Sequence, residues 1–174
     1  MMTIEDLKAL VRDVPDFPQK GILFKDITTM LKDKEGLRLA AQLLCERYAD
    51  KGITKVVGIE SRGFIMGPIV AEKVGAGFVP MRKPGKLPAN TVSESYTKEY
   101  GVDTIEVHVD AIDENDVVLL HDDLLATGGT MAATHRLVET CHPKQTFINF
   151  VIELEELNGR KAFPETVEVE TLLK

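Results

Sequence analysis

The chain has 174 residues, of which 44% are hydrophobic, and it carries a formal net charge of −7. This length suits one domain with its own core, and the hydrophobic fraction argues against general disorder. The negative charge disfavours nucleic acid or an anionic membrane as the main partner, because both require a broadly basic surface. A small anionic ligand stays compatible with it, since such a ligand needs only a few local positive groups.

The two cysteines and the first 30 residues indicate the cellular compartment of the protein. Cys45 and Cys141 are far apart in the chain and fit neither a metal-binding pair nor a disulfide framework. We interpret them as buried apolar residues in a reducing compartment. The first 30 residues carry charges throughout, and no window approaches about 18 consecutive apolar residues. These features predict a soluble, cytoplasmic protein.

The N-terminal part predicts two helices around an irregular segment. Residues 3–13 place apolar side chains at helical spacing behind Thr3, a plausible cap. Residues 15–31 have no steady period, so we expect irregular structure there. Residues 35–50 are strongly amphipathic and predict a helix that ends at Gly52.

The rest of the chain predicts alternating strands and helices. Strands are expected at 55–60, 76–81, 104–110, 116–120 and 146–154, and helices at 62–75 and 130–140. Pro68 falls within the first of these helices and would cost least in its first turn. Strands separated by helices of this length indicate an α/β domain with a mostly parallel sheet. No repeat or linker divides residues 1–174, which we treat as a single domain.

Residues 82–103 interrupt this alternation. About twenty residues in this range are rich in Pro, Gly, Ser, Thr and Lys. A loop that long inside a compact domain is usually functional or mobile. We therefore expect a flexible functional loop here.

The stretch 117–130 carries the clearest functional pattern. An apolar strand leads into Asp122 and Asp123, and then into a turn of small residues, 126–130, that opens a helix. Ligands of open α/β sheets bind beyond the carboxyl ends of strands, where a helix N-terminus offers N–H groups to an anion. The turn suits a phosphate, and the two carboxylates suit sugar hydroxyls or a divalent cation. The alternative is a capped helix with solvated aspartates; neither a Walker nor a dinucleotide-binding motif is present.

This stretch resembles the PRPP (phosphoribosyl diphosphate) signature of the type I phosphoribosyltransferases, and DDLLATGGT is most similar to the members that act on adenine. Other segments agree in the same order: FPQKGILFKDITTML at 17–31, GIESRGFIMGP at 58–68, RKPGKLP at 82–88, KEYG at 98–101 and IELEELNGR at 152–160. The resemblance covers nearly the whole chain. It implies the type I phosphoribosyltransferase fold: a central, mostly parallel sheet flanked by helices, with a small N-terminal hood at about 1–34 that binds the base.

The resemblance also implies roles for individual residues. The 5′-phosphate would be bound by Ala126, Thr127, Gly128, Gly129 and Thr130, and the ribose hydroxyls by Asp122 and Asp123. Pyrophosphate would be bound by Glu60, Ser61, Arg62 and Gly63, with a cis peptide at Glu60–Ser61, and by Arg82, Lys83 and Lys86 of the catalytic loop at about 82–103. Adenine would be bound by Leu23, Phe24 and Lys25. The catalytic groups would be Arg62, Lys86 and Glu99, the last managing a proton near purine N7, with Tyr100 gating the site.

Two residues depart from the family pattern. Lys25 stands where an arginine is common, which leaves a backbone role in base binding more secure than a side-chain role. His121 precedes the acidic pair where an apolar residue is usual, and we interpret it as a hydrogen-bonded core residue. The remaining histidines have no ligand-type spacing, so no zinc site is predicted.

The implied function is purine salvage, in which the 5-phosphoribosyl group of PRPP is transferred to adenine to give AMP and pyrophosphate. Mg²⁺ would be bound through the substrate rather than directly by protein side chains, and the enzyme would be a homodimer. Two alternatives remain: a related transferase acting on xanthine, hypoxanthine or orotate, and a PRPP-sensing regulator without catalysis. The regulator usually needs a DNA-binding segment, for which the chain offers neither spare length nor a basic patch.

Overall fold

The computed structural model describes residues 2–17, 20–97 and 101–174. Its helices are α1 (Ile4–Ala9), α2 (Thr28–Leu31), α3 (Lys34–Glu46), α4 (Gly63–Val74) and α5 (Gly129–Glu139). Its strands are β1 (Arg12–Pro15), β2 (Leu23–Asp26), β3 (Lys55–Ile59), β4 (Gly77–Met81), β5 (Thr91–Thr97), β6 (Val102–His108), β7 (Val117–Leu125), β8 (Gln145–Glu153) and β9 (Val169–Leu173).

A parallel sheet forms the centre of the molecule. Among the described residues its strand order is β4-β3-β7-β8-β9, and every neighbouring pair is parallel. Apolar clusters cover both faces, one packed beneath α3 and α4 and the other beneath α5. The predicted α/β fold with a mostly parallel sheet is confirmed. Because parallel neighbours end at the same edge, the loops after β3 and β7 meet there.

The N-terminal region differs from the prediction. Thr3 and Asp6 form the expected cap at the start of α1 through reciprocal hydrogen bonds. The helix ends at Ala9, because β1 pairs with β2 in an antiparallel ribbon. The predicted irregular segment 15–31 is therefore wrong for 23–26 and for α2, since both depend on tertiary pairing that local periodicity does not reveal.

The two long helices before the site form close to where the sequence predicts them. In α3 the Asp33 carboxylate accepts hydrogen bonds from the backbone N–H groups of Glu35 and Gly36, and the helix ends at Glu46, before the expected stop at Gly52. Pro68 lies in the second turn of α4, not in the first. Both cysteines are free, with Cys45 buried and Cys141 half-buried.

The predicted loop 82–103 contains a strand. Residues 91–97 form β5, which pairs in antiparallel register with β6. The loop prediction is wrong for this part, because β5 is mostly polar and only Tyr96 along it is buried. Before it, Arg82 forms an isolated bridge with Glu106 of β6. The hairpin therefore stands beside the sheet edge where β3 and β7 end.

The last part of the chain adds two differences. β7 runs on to Leu125, so Asp122 and Asp123 lie on the strand rather than after it. β9 was not predicted; it pairs with β8 and closes the sheet on that side. Within the described residues, no helix combines the length and the apolar character needed to cross a membrane.

Candidate active site

A polar cavity of about 490 Å³ opens at the carboxyl edge of the sheet. Its walls come from the ends of β3, β4 and β7 and from the β5–β6 hairpin. The polar side chains that line it are those of Glu60, Ser61, Arg62, Arg82, Lys83, Tyr96, Asp103, Asp122, Asp123 and Thr130. The structure thus brings most of the residues expected for pyrophosphate and ribose into one cavity.

The turn of residues 126–130 (the phosphate turn) follows β7 and includes the first two residues of α5. It lines a smaller cavity of about 180 Å³ together with Arg62 and Asp122. Gly128, with φ of 81°, is the residue before the first turn of α5. The turn therefore opens a helix, as predicted, and exposes to this cavity a helix N-terminus that suits an anion.

The two acids of β7 differ in their surroundings. The side chain of Asp123 is only 5% exposed and accepts a 2.5 Å hydrogen bond from Nε of Arg62. Burial, reinforced by the neighbouring Asp123 charge, raises the pKa of Asp122 well above its ordinary value. The Asp123 backbone N–H also donates to Oδ1 of Asp122 at 2.9 Å. Both carboxylates face the polar cavity, where sugar hydroxyls could bond to them.

The turn after β3 approaches β7 closely. The Glu60–Ser61 peptide bond is cis, as the resemblance implies. A Cβ at Gly63 would lie 2.8 Å from the carbonyl oxygen of His121, so a side chain there would separate the turn from β7. This close packing holds Arg62 against Asp123.

Glu60 holds Arg82 and Lys83, the first two basic residues after β4. Its carboxylate accepts hydrogen bonds from Arg82 Nε at 3.2 Å and Nη2 at 3.1 Å, and from the Lys83 backbone N–H at 3.2 Å. The hydrogen bonds from Arg82 lower the pKa of Glu60 below its ordinary value. An ionised carboxylate repels pyrophosphate, so Glu60 fits a role in holding Arg82 better than one in contacting the anion. Lys86 is exposed, and its carbonyl oxygen accepts from Arg82 Nη1 at 3.2 Å.

The residues expected to bind the base lie on β2. Phe24 lines an apolar cavity of about 350 Å³, whose other walls include Ile65 and residues of α2. Lys25 donates to Oδ1 of Asp13 at 2.6 Å, so its ammonium is engaged by the neighbouring strand. Leu23 is exposed. The Arg62 guanidinium lies 5.5 Å from the centre of the Phe24 ring, within cation–π range.

His121 is a core residue, as predicted. It is fully buried, and Nδ1 shares a 2.8 Å hydrogen bond with Oδ1 of Asn149. Burial lowers its pKa, which keeps the ring neutral. No group of three or more His, Cys, Asp or Glu within the described ranges is arranged to hold a metal ion.

Two of the predicted site residues, Glu99 and Tyr100, lie outside the described residues. Two further residues of the site were not predicted from the sequence. The hydroxyl of Tyr96 shares a 2.9 Å hydrogen bond with Oγ1 of Thr130, and the carboxylate of Asp103 lies 3.6 Å from Nζ of Lys83. Alternation of polar residues in 91–97 was the available signal for a strand that carries such contacts.

The family assignment follows from sequence similarity. A family model described as the phosphoribosyl transferase domain matches residues 27–163. This range is more than half of the chain and contains the sheet edge, the phosphate turn and the acidic pair. The chain belongs to the phosphoribosyltransferase family, whose enzymes transfer a pentosyl group.

Individual relatives show which members of this family the chain is similar to. The adenine phosphoribosyltransferase of Phocaeicola vulgatus is 68% identical, over 99% of this chain and 99% of its own length. The crystal structure of adenine phosphoribosyltransferase from Rhodothermus marinus has a TM-score of 0.91 and 56% identity, covering 98% of this chain and 97% of that one. The APRTase from Giardia lamblia, complexed with 9-deazaadenine, has a TM-score of 0.93 and 43% identity over 99% and 98% of the two chains.

Proposed function

We propose that this chain is an adenine phosphoribosyltransferase, which transfers the 5-phosphoribosyl group of PRPP to adenine and releases AMP and pyrophosphate. The observation that carries this proposal is the meeting of three cavities at one side chain. Arg62 lines the polar cavity, the apolar cavity next to Phe24 and the small cavity at the phosphate turn. A substrate with a phosphate, a sugar and a diphosphate can therefore reach a planar apolar base at this point.

The sugar-phosphate half of the reaction uses the carboxyl edge of the sheet. Residues 126–130 bind the 5′-phosphate through the backbone N–H groups at the start of α5. Asp122 and Asp123 accept hydrogen bonds from the ribose hydroxyls, which holds the sugar in place at the carboxyl end of β7. For Asp123, sugar binding replaces part of its contact with Arg62.

The leaving group is stabilised by basic residues on the opposite wall. As the bond from C1′ to the pyrophosphate oxygen breaks, negative charge grows on the diphosphate. Arg62, Arg82, Lys83 and Lys86 supply compensating positive charge, while the turn 60–63 positions the first of them. The segment at about 82–103, which includes β5, closes over the site and excludes water, which would otherwise trap the sugar cation.

The base binds against β2. Phe24 offers an apolar face, and backbone groups of residues 23–25 read the donor–acceptor edge of adenine, so that 6-oxopurines leave buried polar groups unpaired at about 1–3 kcal/mol each. As N9 forms its bond to C1′ and the bond from C1′ to the pyrophosphate oxygen breaks, the base gives up its ring N–H proton. From the resemblance, Glu99 holds a proton at purine N7 and Tyr100 gates the cavity.

Mg²⁺ fits this site as an ion bound to the substrate. Mg²⁺ is usually held by one or two carboxylates together with substrate phosphates. Here the diphosphate and ribose oxygens of PRPP would coordinate the ion, while Asp122 and Asp123 bind the ribose hydroxyls in the polar cavity. The ion would neutralise charge on the diphosphate.

We also propose that the protein is a cytoplasmic homodimer of single-domain subunits that binds neither nucleic acid nor membrane. Within residues 1–174, residues 1–34 act as the hood over the base. The apolar side chains of Phe17, Leu23 and Ile65, each exposed by 41% or more, support a face that a base or another surface covers. Light scattering after size exclusion measures the dimer directly, and a monomer at all concentrations contradicts it.

Base selectivity tests the proposed reaction. Purified protein is incubated with PRPP, Mg²⁺ and one of adenine, hypoxanthine, xanthine or orotate, and nucleotide and pyrophosphate are measured. We expect product with adenine. Product with hypoxanthine and none with adenine would identify a different base transferase, and PRPP binding without pyrophosphate release with any base would identify a regulator.

A paired substitution tests the site. In Asp123→Asn/Gly129→Val the second change adds a branched side chain to the lining of the phosphate cavity, at a position where a Cβ meets no atom within 4 Å. We expect this variant to lose PRPP binding in calorimetry. Asp110→Asn/Gly77→Ala, made at exposed positions, is the matched control and keeps PRPP binding. Unchanged affinity in the first variant contradicts the site.

A further inference from the structure

A turn near the C-terminus lies directly behind the phosphate turn. This supporting turn, residues 158–162, follows β8 and begins within the segment IELEELNGR at 152–160, to which the proposed reaction assigns no role. Asn158 starts it with φ of 52°, and a short 3₁₀ helix continues from Gly159 to Ala162. None of these side chains lines the polar cavity or the phosphate cavity.

The backbones of the two turns are in contact at a pair of glycines. A Cβ at Gly159 would lie 2.2 Å from the carbonyl oxygen of Ala126. In the other direction, a Cβ at Gly128 would lie 2.5 Å from the carbonyl oxygen of Gly159 and 2.9 Å from Cβ of Ala162. Real Cβ atoms do not approach backbone this closely, so each turn limits where the other can lie.

Arg160 anchors the supporting turn to the sheet. Its Nε and Nη2 donate to the carboxylate of Glu153, at the end of β8, over distances of 2.8–3.0 Å. Its Nη1 donates to the carbonyl of Val169 at 2.6 Å, and Nη2 also reaches Oγ1 of Thr171 at 3.2 Å, both on β9. The Glu153 side chain is only 4% exposed, and the hydrogen bonds from Arg160 lower its pKa. A charged, two-pronged contact of this kind holds position better than a solvated ion pair does.

We propose that the supporting turn sets the position of the phosphate turn, with Gly159 as a positioning residue for the 5′-phosphate and Arg160 as its anchor to β8 and β9. This inference rests on the proposed function, because it assigns a role to the back of the phosphate site. Backbone N–H groups bind a phosphate only at hydrogen-bond distance. A wall that fixes the carbonyl of Ala126 from behind therefore fixes the N–H groups at the front.

The inference predicts an effect specific to the phosphate. In Gly159→Ala the new methyl group must push residues 126–128 toward the ligand or away from α5. Affinity for ribose 5-phosphate, measured by calorimetry, is expected to fall by about 10-fold or more, because displacements near 1 Å have large effects on positioned groups. In steady-state kinetics the KM for PRPP is expected to rise, while the KM for adenine at saturating PRPP changes less than twofold.

Gly77→Ala is the matched control. Gly77 is exposed on β4, and a Cβ there makes only ordinary contact, 3.5 Å from Cδ of Lys55. It carries the same chemical change without a backbone clash, and we expect ribose 5-phosphate affinity equal to that of the wild type. Arg160→Lys is the second test variant, since it keeps the positive charge near Glu153 but loses the forked contact to that carboxylate and the hydrogen bonds to β9. It is expected to weaken ribose 5-phosphate binding by a smaller factor.

Each outcome decides the inference. Circular dichroism establishes which variants are folded, and Arg160→Lys decides alone if Gly159→Ala is not. Wild-type ribose 5-phosphate affinity in a folded Gly159→Ala variant, or equal rises in both KM values, overturns the positioning role. A wild-type protein that turns over no adenine instead contradicts the proposed function, whereas the calorimetric comparison with ribose 5-phosphate still tests the supporting turn.

Discussion

Arg62 and Asp123 are joined by a 2.5 Å hydrogen bond between Nε and Oδ2, although 61 positions separate them in the chain. The arginine side chain is about half exposed, whereas the aspartate is almost completely buried. The buried carboxylate thus has a charged partner before any sugar arrives. Arg62 in turn is held where the polar and apolar cavities meet.

The first prediction concerns this arginine. Arg62→Lys keeps the positive charge but loses the planar donor set that spans Asp123 and the leaving group. We expect kcat/KM to fall by about 10²–10³-fold, which is typical of removing one positioned donor to a developing charge. Arg38→Lys, at an exposed position paired with Glu35, is the control and is expected to leave the kinetics unchanged. A loss below 3-fold for Arg62→Lys argues against its role.

The second prediction concerns the pH dependence of stability. The pKa of Asp122 is raised in the folded state, chiefly by burial, from an ordinary value of 3.8. The folded protein therefore holds this proton more tightly than the unfolded chain does. The contribution of the protonated group to the free energy of unfolding is complete below pH 3.8 and is lost as pH rises through the raised pKa. Asp122→Asn is not subject to this loss, and its amide oxygen can still accept from the Asp123 N–H.

We therefore expect Asp122→Asn to be more stable than the wild type at pH 8, with the difference closing as the pH falls toward 4. Thermal melts measure it, at about 2–4 °C for each kcal/mol in a chain of this size. Activity is expected to fall at the same time, because a charge held for function is often costly to the fold. The exposed Asp110→Asn is the control, and an equal gain there would attribute the effect to net charge.

The third prediction concerns Glu60 and Arg82. Glu60→Gln replaces one accepting oxygen with an amide that repels the donors of Arg82 and Lys83. We expect kcat to fall by about 10-fold or more because these groups lose their position. Since the pKa of Glu60 is lowered, its carboxylate is fully ionised well above 4.5, and the ratio of wild-type to variant kcat is expected to stay constant between pH 6 and 9.

Pre-steady-state and steady-state rates across that pH range measure this ratio. Glu114→Gln, which removes the same negative charge at an exposed position, serves as the control. A ratio that varies strongly with pH would show that Glu60 exchanges a proton during the reaction rather than positioning Arg82.

The fourth prediction concerns the base. Phe24→Ala removes an aromatic face from the apolar cavity and is expected to raise the KM for adenine by about 10- to 100-fold, from lost apolar burial and stacking. The KM for PRPP is expected to change little. Phe24→Leu keeps part of the apolar surface and should lie between the two. An unchanged adenine KM in Phe24→Ala places the base elsewhere.

The sequence alone was sufficient for the part of the site that is continuous in the chain. Strand β7, which carries the acidic pair, leads directly into the phosphate turn within 117–130, so the geometry of this part depends mainly on local backbone structure. The parallel sheet could also be predicted, because apolar strands separated by helices leave few other arrangements.

Tertiary structure decided what depends on residues far apart in the chain. The predicted irregular segment contains β2 because β1 pairs with it, and part of the predicted loop is β5 because β6 pairs with it. In segments this short, the periodicity of the sequence is too weak to establish a strand without its partner.

The two turns at the phosphate site show the same difference between local sequence and tertiary structure. The sequence by itself determined that residues 126–130 form a helix-opening turn suited to an anion. Only the folded chain brings Gly159 against the back of that turn and Arg62 against Asp123, because these contacts depend on how β3, β7 and β8 lie side by side. Local chemistry therefore determined what the site can bind, and packing between distant segments decided how firmly each group is held.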